Sequence, residues 1–357
     1  MLANFSPLLR RSLPTVYRGF SSKARSITGS FNPTDHGLSK DFPVELDCCV
    51  VPLKTHPNLS LIQTTDFFYA LVDDPYTMGR ITCCNVLSDM YAMGVTEVDN
   101  MLLLLGVPTS MKPDERMVSN KLIMEGFRDC AAEAGTFIRG GQTVQNPWLL
   151  IGGVATSICD FSQFIMPDQI KPGYKLVLTK PLGTQAAVNC YQWMLDGKLF
   201  WTEKLQPANV TEAQLHRVFE SATQSMSRLN LTGAKLMHSF DSGGATDVTG
   251  FGVKGHAENL VKVQKANVEF VFERLPLLKG TMQLAQTLDD RFGLFQGLCP
   301  ETSGGLLIGL PADKADAFCQ ELEASTGNPA WVVGSVREAE KKSVAPINHE
   351  SIDFFEV

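Results

Sequence analysis

The sequence predicts a mixed α/β (α+β) protein built as two domains behind a basic leader. Three observations carry that reading. The chain has 357 residues, and at roughly 100–200 residues per domain that length favours two domains. From Leu59 onward, apolar residues switch repeatedly between the two-residue period of a strand and the 3.6-residue period of a helix. A turn-rich stretch, Met166-Pro167-Asp168-Gln169-Ile170-Lys171-Pro172-Gly173-Tyr174, divides the patterned region into two series. The divisions drawn are a leader at 1–34, an N-terminal domain at 35–165 and a C-terminal α/β domain at 166–357.

In the first series, Asp47 heads the apolar run Cys48–Leu53, which reads as a short strand, and Leu59–Thr65 reads as a second. Pro75 opens a helix over Tyr76–Met93 that Gly94 ends, because proline suits the first helical position and glycine the left-handed residue past the last. Glu97–Val107 is an apolar strand centred on Leu102–Leu105; Pro113–Ala134 is a helix stopped by Gly135; Trp148–Ser157 is a strand. In the second series, a strand at Lys175–Thr179 is followed by helices near Gln185–Leu195, Thr211–Leu229 and Phe251–Val263. Strands at Val268–Phe272, Gly305–Leu310 and Ala330–Val336 alternate with them.

Hydrophobic residues make up 44% of the chain and charged residues 19%, and no apolar run reaches the ~18 residues a bilayer span needs. That excludes a helical membrane protein and a disordered chain. The net charge of −7 supplies no positive field, so neither nucleic acid nor a membrane is expected as a partner. The nine cysteines are odd in number, lie in apolar segments and show no metal-ligand spacing. They read as reduced, mostly buried thiols, with the neighbours Cys48 and Cys49 pointing apart on their strand. Residues 1–34 carry Arg10, Arg11, Arg18, Lys23 and Arg25, many serines and no acidic residue. This is the composition of a transit peptide to the mitochondrial matrix; an ordinary basic tail on a protein of the cytoplasm is the alternative.

The acidic residues are oddly placed. Asp47 begins an apolar run, Asp66 ends one, Asp89 lies inside an apolar helix, and Asp247 sits among the glycines of Gly243–Gly252. A carboxylate in such a setting loses hydration and must be paired, protonated or metal-bound. Each alone fits a satisfied cap or ion pair, but four together favour a hard-cation site of oxygen ligands, with Mg²⁺ bridging phosphates. Asn85 and Asp89 are four residues apart and share a helix face. Asp73-Asp74-Pro75 has the simpler account of a helix N-terminus. Gly140-Gly141-Gln142-Thr143 separates two strand-like segments, either as a loop whose amides face an anion or as a plain turn. Asp241–Gly252, D-S-G-G-A-T-D-V-T-G-F-G, runs into a helix and suits a phosphate at its N-terminus, although no Walker A loop occurs.

At these residues, from about Asp47 to the C-terminus, the chain resembles the selenophosphate synthetase (selenide, water dikinase) family, within the superfamily of aminoimidazole ribonucleotide synthetase. The blocks that carry the resemblance are Gln63–Phe68, Val72–Tyr76, Asn85–Asp89 with Tyr91–Val95, Gly140–Trp148, Leu178–Thr184 and Ala245–His256. The resemblance implies a two-domain aminoimidazole ribonucleotide synthetase-like fold whose N-terminal sheets pair into a dimeric barrel, with ATP in a cleft shared by both subunits. It implies that Asp47, Asp66, Asp89 and Asp247 hold Mg²⁺ beside the nucleotide, that Asp47, Asp66 and Asp89 contact the bound nucleotide, and that Gly140, Gly141, Gln142 and Thr143 form a nucleotide-binding loop given by the partner. The implied reaction turns ATP, selenide (or a related small anion) and water into selenophosphate, AMP and phosphate, for selenocysteine biosynthesis.

One departure stands beside those matches. Family members carry, before the first metal aspartate, a Gly-rich loop with a Cys or selenocysteine and an essential Lys. Here Ser30–Pro33, Leu38, Lys40 and Phe42 resemble the extreme N-terminus of animal members, and the chain then reaches Asp47-Cys48-Cys49-Val50 with the loop skipped between about Phe42 and Leu46. No catalytic residue is therefore assigned, Cys48 and Cys49 are read as packing residues, and the glycine expected two residues before the metal aspartate is Glu45. Two readings stay open: an ATP-dependent selenophosphate synthetase acting as a homodimer, and an inactive nucleotide-binding homologue or regulatory subunit that pairs with a full-length paralogue. Aminoimidazole ribonucleotide synthetase itself is disfavoured by the T-T-D-F-F and N-P-W blocks.

Overall fold

The computed structural model describes residues 47–357. The leader and the shortened stretch at 42–46 lie outside the described residues. The first sheet contains β1 (Cys49–Pro52), β2 (Leu59–Tyr69), β3 (Asn100–Pro108), β4 (Ile138–Asn146) and β5 (Leu150–Asp160), in the order β1-β2-β5-β3-β4. All neighbours are antiparallel except β3 and β4. Helices α1 (Pro75–Ala92) and α2 (Pro113–Glu133) cover one face. Both start at a proline, as the sequence predicts, and Asp74 caps α1 by accepting from Thr77 N at 2.8 Å.

Helix α1 is the centre of the molecule. Of its 18 residues 14 are buried, which is why its sequence is apolar all round rather than striped. On one side it packs on the sheet, on another against α2, where Gly79 and Gly126 let the backbones meet: a Cβ on Gly79 would lie 2.1 Å from Ile123 O, and one on Gly126 1.9 Å from Tyr76 O. On the remaining side Tyr91 and Met93 join Ala234, Met237, Leu306 and Ile308 of the C-terminal half in one continuous apolar cluster. Each of the Met, Leu and Ile side chains, fully buried, contributes about 1.5–3 kcal/mol.

The second sheet contains β6 (Lys175–Leu178), β7 (Gly244–Asp247), β8 (Val268–Phe272), β10 (Leu306–Leu310), β11 (Trp331–Glu338) and β12 (Ser343–Val344), in the order β12-β8-β11-β6-β10-β7. A parallel pair, β9 (Arg274–Leu277) and β13 (Asp353–Glu356), stands apart. Helices α3 (Thr184–Leu195), α4 (Glu212–Met226), α5 (Leu231–Ser239), α6 (Gly252–Val263), α7 (Thr281–Thr287) and α8 (Ala315–Thr326) complete this half, with a π-helical turn at Phe200–Leu205. Helices α6 and α8 lie on the sheet, whereas α4 and α7 pack on α3, and α3 and α4 share an apolar cluster with α1, β3 and β5. The architecture is the mixed α/β one that the patterning predicts.

Several local readings need correction. The helix expected over Thr211–Leu229 runs Glu212–Met226, and a further helix that the patterning did not reveal, Leu231–Ser239, follows it; between them Asn230 turns its amide to Ser88 Oγ (3.0 Å) and Gly304 O (2.8 Å). Gly140–Thr143 is neither a loop nor a turn but the middle of β4. Cys48 is buried as expected, whereas Cys49 is exposed and packs nothing in this core. The strict alternation of a strand puts the two on opposite faces.

Candidate functional site

Each acidic residue of interest sits where an element ends or where a buried face turns polar. Asp47 lies two residues before β1. Asp66 follows Thr64 on the inward face of β2; Asp89 lies on α1 one turn beyond Asn85; Asp247 is the last residue of β7. Carboxylate oxygens of Asp47, Asp89 and Asp247 all lie within 4.8 Å of one another. Asp66 is not part of that triad but is held beside it, accepting from Asn85 Nδ2 at 2.8 Å. Two more hydrogen bonds orient the triad: Thr246 Oγ1 donates to Asp47 Oδ1 at 3.0 Å, and Thr64 Oγ1 donates to Asp89 Oδ2.

The electrostatics are those of negative charge crowded away from water. Burial, then the Asp247 charge, pushes the Asp47 carboxyl well above the usual range, and the same two causes act in the same order on Asp89. Asp66 is pushed up to about 7 by burial and by Asp247. Burial raises Asp247 as well, against hydrogen bonds that lower it. Asp247 is 1% exposed, and its Oδ2 has no hydrogen-bond partner among the described residues. An all-oxygen donor set with one oxygen orphaned fits a hard divalent cation; it does not fit a soft metal, because the nearby Cys48 thiol is itself held protonated by burial.

Gly140, Gly141, Gln142 and Thr143 are not brought to this cluster within the chain. They are exposed on the edge strand β4, three strand spacings, roughly 14 Å, from β2. The need for glycine there is also different from a phosphate cradle: a Cβ on Gly141 would lie 1.9 Å from Leu103 O of the adjacent strand. The expectation of a phosphate at the start of α6 is corrected too. The Thr249 and Phe251 amides that would face it donate instead to His256 Nε2, at 3.0 and 3.3 Å, and burial holds that ring neutral with its pKa pushed down to about 4.

Thr64, Thr246, Lys180, Glu301 and Ser303 escaped the sequence reading. Glu301 is buried, accepts from Gly183 N (2.6 Å) and Thr184 N (2.8 Å), and so caps α3. Lys180 is also fully buried and has no carboxylate partner among the described residues. The only local signal was a charged residue between an apolar strand and a Pro-Leu-Gly turn.

The chain that builds this site is similar to known proteins over most of its length. Residues 45–159 match the family model of AIR synthase related protein, N-terminal domain, and residues 171–346 that of the C-terminal domain. A human protein named selenide, water dikinase 2 is 50% identical over 315 residues, covering 87% of this chain and 69% of its own length. A Caenorhabditis elegans protein named probable selenide, water dikinase is 49% identical over 308 residues, 85% of this chain and 80% of its own. Among solved structures, a thiamine-monophosphate kinase from Stenotrophomonas maltophilia superposes with a TM-score of 0.61 at 18% identity, covering 88% of this chain and 96% of that one. The hydrogenase maturation protein HypE in complex with ATP does so with 0.58 at 16%, covering 90% and 88%. At such identities the structures speak for the shared fold.

Proposed function

The chain belongs to the selenide, water dikinase family of AIR synthase-related phosphotransferases, and from that membership we propose that it makes selenophosphate, converting ATP, selenide and water into selenophosphate, AMP and phosphate. The observation that carries the reading is the convergence of Asp47, Asp89 and Asp247 from the two halves of the chain, with Asp247 Oδ2 unpartnered among the described residues. Three carboxylates this close, Asp247 buried and Asp47 and Asp89 half-buried, cannot all ionise unaided. Asp47, Asp89 and Asp247 would hold Mg²⁺, with Asp66 beside them. When bound, the ion supplies positive charge against the phosphoryl oxygens of ATP.

The chain's own residues prepare that site. The Thr64 and Thr246 hydroxyls each occupy one carboxylate oxygen and leave the other free to face the centre. Asn85 does the same for Asp66. Preorganised groups of this kind cost no reorganisation when charge develops.

The active form of this reading is a homodimer. Val51, Leu61 and Ile158 are directly opposed across three strands, and the same strand alternation puts Phe67 and Val144 on that outward face. Phe67 is 63% exposed. A second copy laid on this apolar face would cover it and bring its own Gly140–Thr143 toward the neighbour's nucleotide.

The test is selenide-dependent formation of AMP and phosphate from ATP by the purified chain, with selenophosphate followed by phosphorus NMR. Nucleotide turnover indifferent to selenide would overturn the assignment. The shortened stretch at 42–46 is expected to tell on the rate: loss of a closing loop and of a positioned charge commonly costs ~10²–10³.

A further inference from the structure

Lys180 lies just past β6 with its side chain running inward, and it is 1% exposed. Its ammonium donates to Arg228 O at 2.6 Å, to Ser303 O at 2.7 Å and to Ser303 Oγ at 3.4 Å. Buried lysines ordinarily answer a carboxylate. This one instead anchors a backbone segment in an uncommon conformation: Ser303 has φ 46°, in the left-handed region that a residue with a Cβ rarely adopts. The next two residues are wedged in place. A Cβ on Gly304 would meet Val248 O at 2.0 Å, and one on Gly305 would meet Lys180 N at 2.4 Å.

The held segment reaches across to the first domain. Ser303 N donates to Asn85 Oδ1 at 2.7 Å, and Asn85 Nδ2 donates to Asp66 Oδ2 at 2.8 Å. Because a backbone N–H can only donate, it settles which way the Asn85 amide faces: oxygen toward Ser303, nitrogen toward Asp66. The result is a continuous relay, Lys180 to Ser303 to Asn85 to Asp66, from the core of one half of the molecule to a carboxylate at the edge of the triad in the other. Asn230 runs a parallel tether, from Gly304 O to Ser88 Oγ on the same helix as Asn85.

We propose that Lys180 and Ser303 are positioning residues that act through the Asn85 amide to hold Asp66 oriented for the magnesium-nucleotide complex. The role given to Asp66 rests on the function proposed above; the relay itself rests on the geometry. A supporting ligand of this kind typically changes metal affinity about 10–100-fold when removed.

The experiment is a double-mutant cycle on the full chain with Lys180→Met, Asn85→Ala and the two combined. The probe is a non-hydrolysable ATP analogue, titrated calorimetrically with Mg²⁺ and again in EDTA. Each single variant is expected to weaken magnesium-dependent binding about tenfold and to leave the EDTA affinity unchanged, and the pair is expected to lose no more than either alone. Losses that multiply, or a folded Lys180→Met that binds as the parent does, would overturn the relay. If Lys180→Met does not fold, Lys180→Gln, whose shorter side chain puts a neutral amide in place of the ammonium, replaces it with the same two outcomes. If the parent chain shows no magnesium effect, the proposed function fails, and the same cycle run by urea unfolding in EDTA still decides the relay: non-additive losses uphold it, additive losses overturn it.

Discussion

Thr246 Oγ1 donates a hydrogen bond to Asp47 Oδ1 at 3.0 Å across 199 residues of sequence. The carboxylate that precedes the first strand of one sheet is thus oriented by the edge strand of the other. The triad therefore exists only when the two halves are docked, and the shared apolar cluster around α1 is what docks them.

Replacing that hydroxyl by an isosteric methyl, Thr246→Val, should weaken binding of magnesium-nucleotide about 10-fold or more, as loss of an orienting partner does. The fold should lose only about 0.5–1.5 kcal/mol, the net worth of one hydrogen bond. Calorimetric titration paired with urea unfolding separates the two. Equal losses with and without Mg²⁺ would mean that Asp47 is not oriented toward a cation.

Removing one charge from the triad should stabilise the metal-free chain, because burial and mutual repulsion disfavour the ionised forms. Asp89→Asn is expected to unfold at a higher temperature than the parent in EDTA, yet to gain nothing from magnesium and ATP together. A parent-like increment in the variant would remove Asp89 from the metal site.

His256 gives the stability a pH dependence with a defined sign. Its folded pKa is pushed down by burial to about 4, below the ordinary value of 6.5. Between those values the unfolded chain binds the extra proton, so stability is full above pH 6.5 and is lost as the pH falls toward 4. Each tenfold loss of proton affinity on folding is worth ~1.36 kcal/mol, which makes the amplitude about 3 kcal/mol. Urea unfolding of the parent and of His256→Gln across that window should differ in slope; parallel curves would deny His256 this part.

Phe67→Asp places a charge in the middle of the exposed apolar face of the first sheet. It should convert a dimer into a monomer in sedimentation velocity while leaving unfolding of the protomer little changed, since Phe67 packs outward. A parent that sediments as a monomer at micromolar concentration would remove the proposed interface.

Much of this was legible in the sequence. Helices α1 and α2 announce themselves by a proline at the start and a glycine after the end, and the long strand β2 by its alternation, because those signals are local and repeat over many residues. The carboxylates Asp47, Asp66, Asp89 and Asp247 stood out because an acidic residue in an apolar context is costly wherever it ends up. What the tertiary structure alone decided was which of them meet. Three converge and Asp66 is set beside them, through contacts between residues as distant as Ser303 and Asn85 or Thr246 and Asp47. Short or glycine-rich strands such as β4 and β7 were equally hidden: a strand of four residues, or one whose centre is Gly140-Gly141, carries too few side chains to display a period, and only pairing with β3 or β10 makes it a strand. Lys180 shows the same limit most plainly, since its two nearest partners are backbone oxygens, and the position of a backbone oxygen is set by the fold rather than by the type of residue that bears it.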